Sequence, residues 1–220
     1  TQGVFAISFN IKTYRCGILI AENRCEYPVT VAACGFANNN PNIPAPITSS
    51  GGSPVFNDTV YAGDVVNFTF TANDIEFLQD GVTPQTNTLI PFGEQFGTGF
   101  TSTVAGCPDP PCAVLSTPLT GVQGLSTNFS WQTSCDHVKT PSCAGHTTHN
   151  FHFRVVDDVC GIPGSSSATV RITVLEQPEL ESPELRCADV NPDGSVDLTW
   201  DPIADPTGSF VEYRVYSSTG

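Results

Sequence analysis

Five carboxylates, Asp74, Glu76, Asp80, Asp157 and Asp158, are the side chains of this sequence best suited to hold an ion. Hard divalent cations take several carboxylate and carbonyl oxygens gathered by turns between strands, and these acids fall in two such stretches, TANDIEFLQD and VVDDVCGIPG. No cofactor is expected, and Ca²⁺ at these five acids is the one candidate weighed. The competing reading makes the same acids turn residues whose oxygens accept backbone N–H groups, and the chain carries neither an EF-hand nor a nonapeptide repeat. His146, His149 and His152 recur at every third position. That spacing gathers ligands on a helix, but on a strand it turns positions 149 and 152 to opposite faces, so zinc is not expected.

Nucleophilic catalysis finds no Gly-x-Ser-x-Gly elbow in this chain. Trp131 and Trp200 could stack on sugars, yet each is in phase with the core-facing residues of its own stretch. The expectation is therefore a protein that is not an enzyme.

Nine cysteines in 220 residues suit an oxidising exterior and not a reducing cytosol. No paired Cys-x-x-Cys knuckles suggest zinc, so disulfides are the better account. Cys16 and Cys25 flank a turn, and a bridge across it would pin a hairpin. Cys107 with Cys112 and Cys135 with Cys143 are the other local pairs. Nine is odd, and Cys187 is expected to find its partner beyond Gly220, as in a fragment of a longer protein.

Eight basic against 22 acidic residues leave a formal charge of −14. Such a surface repels phosphate backbones and anionic membranes, so nucleic acid is excluded as a partner. No apolar run approaches the roughly 18 residues of a membrane-spanning helix. The opening TQGVFAISF is not a signal peptide, so export is expected to be directed by residues outside this sequence.

The elements that must position these groups are strands. Phe129 and Trp131, then Phe151, Phe153 and Val155, then Val170, Ile172 and Val174 recur at every second residue, which places them on one face of a strand. Polar residues fill the alternate positions of the last two, so one side meets water and the other needs a second sheet over it. With 18 Pro and 19 Gly and no sustained helical period, the fold class is all-β, with tandem β-sandwich modules joined by short linkers.

Three segments follow. Residues 1–35 read as the closing hairpin of a preceding module, with strands over residues 4–14 and roughly Glu26 to Ala33. Residues 36–176 read as one complete sandwich, opened by the Asn/Pro-rich FANNNPNIPAPI, with residues 86–125 as long loops and short strands. After the acidic EQPELESP, residues 177–220 begin another domain.

The wording of these strands is familiar. FSW, then Cys, then an aromatic strand running into Asp157-Asp158-Val159-Cys160, then TVRITV resembles the Ig-like modules of large Bacteroidota surface proteins, including the gliding-motility adhesins (SprB type). Tyr14-Arg15, Gly17, Arg24 and Cys34 resemble the end of such a repeat. The Ala72-x-Asp74 ending resembles cadherin-like and PKD-like repeats, and Trp200 with VEYRVY resembles the first half of a fibronectin type III domain. In an Ig-like strand order the turn holding Cys160 lies at the end where the module begins, so the resemblance implies a Cys34–Cys160 staple. It also implies type IX secretion, a cell-surface location, roles in adhesion or gliding motility, and partners among surface glycans, other surface proteins and the export machinery. The function read here is a non-enzymatic, disulfide-stabilised extracellular spacer. The alternatives are a glycan- or protein-binding module acting through residues 77–125, or an accessory region of a secreted hydrolase.

Overall fold

Alternation of apolar and polar residues becomes fourteen strands in the computed structural model, with no α-helix among the described residues, 3–31, 37–138, 145–159, 163–178, 180–205, 208 and 210–216. The protein is all-β. It divides into two compact units, Thr1–Glu176 and Gln177–Gly220.

β1 (Gly3–Arg15) and β2 (Ile18–Val31) form an antiparallel hairpin closed by Cys16 and Gly17. Both turn residues have positive φ, 50° and 79°, the region a primed two-residue turn requires and glycine favours. Because so short a turn hands the chain straight back, β2 starts at Ile18 and not near Glu26.

After β3 (Ile47–Thr48), β4 (Pro54–Val55) and β5 (Asn57–Tyr61) come the strands that build the core: β6 (Val65–Asn73), β7 (Thr86–Phe92), β8 (Val114–Leu115), β9 (Thr120–Val122), β10 (Gly124–Gln132), β11 (His146–Val156) and β12 (Ser165–Leu175). One sheet has the order β6-β10-β8, and a five-stranded sheet has the order β5-β12-β11-β7-β9. β5 runs parallel to β12, and the other neighbours are antiparallel.

The two sheets lie face to face with one core between them. Val66, Phe68 and Phe70 of β6 and Phe129 and Trp131 of β10 meet Phe151, Phe153 and Val155 of β11 and Val170, Ile172 and Val174 of β12. Ring centroids across the interface are 4.5 Å apart for Phe70 and Phe153, 4.9 Å for Phe129 and Phe151, and 5.2 Å for Trp131 and Phe151. Each of these side chains contributes about 1.5–3 kcal/mol on burial. Trp131 is fully enclosed, and its indole N–H donates to Pro111 O at 3.0 Å. Packing accounts for it, as its phase predicts.

In the second unit, β13 (Leu185–Val190) and β14 (Val196–Trp200) form an antiparallel hairpin. Trp200 packs edge-on against Tyr213, centroids 5.2 Å apart.

Candidate functional site

Polar side chains concentrate where residues 37–42 meet the ends of β6 and β11. Asp74 follows β6 and Asp157 follows β11, and both are almost wholly buried. Asp157 accepts Val159 N–H at 3.0 Å, Gly164 N–H at 2.8 Å and Asn38 Nδ2 at 3.0 Å. Asn38 Oδ1 in turn accepts Gln85 Nε2 at 3.0 Å, and the same amide nitrogen reaches Phe77 O at 3.1 Å. Three stretches far apart in sequence are thereby joined.

The neighbouring asparagines extend this clamp. Asn39 donates from its backbone to Glu76 Oε2 at 2.7 Å and from its side chain to Glu76 Oε1. Asn40 Oδ1 accepts Ser165 N–H at 3.1 Å, and Asn42 exchanges backbone hydrogen bonds of 2.8 and 2.9 Å with Asn73. Gly164 is required by the close approach: a Cβ there would stand 2.3 Å from Asp157 Oδ2 and 2.9 Å from Asn39 O.

Among the described residues, Asp74 Oδ2, Gln85 Oε1, and both Oδ1 and Nδ2 of Asn87 in this cluster have no hydrogen-bond partner. Asp74 Oδ1 accepts Glu76 N–H at 3.2 Å. Burial pushes the Asp74 carboxyl up from the usual range, the hydrogen bond from Glu76 opposes this, and the charge of Asp157 adds to the rise.

The five acids weighed as a candidate Ca²⁺ site are only partly brought together. Asp74, Glu76 and Asp157 belong to this end of the fold. Asp80 closes its own exposed turn, accepting Val82 N–H, Thr83 N–H and Thr83 Oγ1, and those bonds hold its carboxyl below the usual range. Asp158 accepts Thr86 N–H at 2.9 Å. Among the described residues no three His, Cys, Asp or Glu side chains stand close enough together to hold a metal. The five-residue site is therefore not formed, because most of these oxygens are already committed to backbone N–H groups. Of the histidines, His149 is buried on the inner face of β11, with Nε2 2.9 Å from His137 O, and His152 lies on the outer face against Phe92.

The cysteines require corrections. Cys107 and Cys112 are bridged, S–S 2.01 Å. Cys16 is disulfide-bonded but Cys25 is a free, half-buried thiol, so the Cys16–Cys25 bridge does not exist. Cys16 sits in the two-residue turn whereas Cys25 lies opposite Phe9, far along the ladder. Cys135 is free and exposed, which removes the Cys135–Cys143 bridge; it opens the 3₁₀ turn Cys135–His137 with its thiol in solvent. Cys34, Cys143 and Cys160 lie outside the described residues. Cys187 is a free, exposed thiol, its Sγ 3.4 Å from Asp189 Oδ2.

A second buried polar group lies beside Trp131 and escaped the sequence reading. Ser134 N–H donates to His137 Nδ1 at 2.8 Å, which leaves the imidazole proton on Nε2, 2.7 Å from Asp109 O. Gln95 Nε2 also donates to Asp109 O. These contacts hold down the loop that the Cys107–Cys112 bridge closes. Asn38, Gln85 and Asn87 were likewise missed: the asparagine run reads as linker, and a buried amide leaves no mark in a single sequence.

No family model matches the chain, and no curated protein matches it. Among solved structures it is similar to a family 123 glycoside hydrolase from Clostridium perfringens, at 10% identity and a TM-score of 0.24, over 56% of this chain and 23% of that one. A likeness at that level carries no argument about fold or activity.

Proposed function

We propose that this chain is a non-enzymatic segment of a long extracellular protein, in which two-sheet modules are strung end to end as spacers that carry adhesive parts away from the cell. One observation carries the reading. The chain comes in at the pole where Asn40 meets Ser165, the first residue of β12, and leaves at the pole where β12 ends at Leu175. The eleven residues of β12 separate these points by about 35 Å, at roughly 3.3 Å per residue.

A module threaded pole to pole lengthens a polymer, whereas one with adjacent termini hangs from it as a side lobe. The asparagine clamp supports the same reading, since it ties the incoming segment to β6, β11 and β12 and so stiffens the joint. Nine cysteines, with Cys107–Cys112 bridged and Cys16 oxidised, suit a protein outside the cell.

Electron microscopy of the shadowed full-length protein tests the proposal. Rods whose length grows by about 4 nm per module are expected, from the strand length above plus a linker. Compact particles, or a catalytic domain adjoining this segment, would refute it.

A further inference from the structure

The sequence of the hairpin β1–β2 resembles that of β11 and β12. In sequence, Phe9-Asn-Ile-Lys12 matches Phe151-His-Phe-Arg154, Cys-Gly-Ile follows in both stretches, at residues 16–18 and 160–162, and Val29-Thr-Val31 matches Ile172-Thr-Val174. Phe5, Ile7, Phe9 and Ile11 share one face with Val29, Tyr27 and Cys25 through the antiparallel register. The opposite face is polar: Arg24 bonds Ser8 and pairs with Glu26, and Lys12 lies 3.7 Å from Glu22.

Burial is where the two hairpins differ. Phe151, Phe153, Val170 and Ile172 are fully enclosed by the sheet of β6, β10 and β8, whereas Phe5, Ile7, Phe9 and Ile11 are each about half exposed. A two-stranded hairpin is marginal in water by itself, and an apolar face of this length marks a surface that something covers.

We propose that the apolar face of β1–β2 docks onto a β-sheet formed by the polypeptide immediately upstream of Thr1, with an aromatic inner face of the kind β6 and β10 present to β11 and β12. The same hairpin-on-sheet interface is already built once within this chain, which defines the partner's chemistry. A second copy of the hairpin is the poorer occupant. The face measures roughly 40 Å by 10 Å, about half the ~800 Å² per partner of a stable association between separate chains. An upstream sheet needs less area, because it is tethered to the hairpin.

The inference rests on the tandem reading above, and the experiment separates the two. Hydrogen exchange and alkylation of Cys25, the free thiol opposite Phe9, are measured on the 220-residue chain and on the full-length protein. In the full-length protein the β1 and β2 amides are expected to exchange at least 100-fold more slowly and Cys25 to alkylate at least 10-fold more slowly. Ile11→Asp should abolish both effects while leaving exchange in β11 and β12 unchanged. Equal exchange and alkylation in the two proteins would overturn the inference, as would protection in the 220-residue chain that grows with its concentration, which would make the occupant a second copy. Rod-shaped particles with an unprotected hairpin would sink this inference alone, and compact particles would sink the tandem reading.

Discussion

Replacing Asn38 by alanine removes the side chain that joins the incoming segment to two elements at once. Its amide nitrogen donates to the Asp157 carboxylate and its oxygen accepts from Gln85, each at 3.0 Å. A hydrogen bond to a charged group contributes about 1.5–3 kcal/mol and a neutral one about 0.5–1.5 kcal/mol. Neither partner is stranded, because Asp157 Oδ2 keeps Gly164 N–H and Gln85 Nε2 keeps Phe77 O. The low ends of both ranges therefore apply, for a total of about 2 kcal/mol. In a unit of this size that lowers Tm by roughly 4–8 °C.

Urea unfolding followed by Trp131 fluorescence, in a Trp200→Phe background so that one unit is read, measures it directly. The midpoint should fall with an unchanged slope, since the surface exposed on unfolding is the same. Asn39→Ala is the internal comparison: its contacts to Glu76 are exposed, and its cost should stay below about 1 kcal/mol. A loss under about 0.5 kcal/mol for Asn38→Ala, or a larger one for Asn39→Ala, would refute the claim that the half-buried asparagine ties the segment down.

Three further outcomes follow from the same geometry. Asp74 binds its proton more tightly folded than unfolded, so stability should fall as pH rises from the unfolded value, about 3.9, through the raised folded one. Asp74→Asn should flatten that slope, as unfolding midpoints across pH would report. Gly164→Ala puts a Cβ against Asp157 Oδ2 and Asn39 O and should cost about 1–3 kcal/mol by forcing backbone apart; a neutral result would show that the approach is looser. Phe153→Ala, beneath Phe70 and Phe96, should cost about 3–5 kcal/mol, measured by the same unfolding, whereas Phe92→Ala on the outer face should cost far less.

Strand formation and the inward faces were legible from the residues alone, because a two-residue period is a property of neighbours. The sides of Phe129, Trp131, Phe151, Phe153, Val170 and Ile172 follow from it directly. β7 was not legible, since two of its three inward positions are Asn87 and Pro91 and the third is Leu89, so its inner face lacks the apolar signature of a strand. Nor was the length of β2, which hinges on a turn of only two residues.

The polar cluster belongs to tertiary structure. Asn38 and Asp157 are 119 positions apart, and they meet only because β11 and β12 lie centrally in one sheet while the incoming segment crosses the pole of the other. The acids had a spacing in the sequence, but which of their oxygens remain free depends on the backbone N–H groups that the completed turns bring to them. Sulfur pairing obeys the same limit: proximity along the chain suggested Cys16 with Cys25, and the strand register keeps them apart. Local periodicity selects which side of a strand is greasy, whereas strand order and register, set by distant partners, decide which polar groups converge.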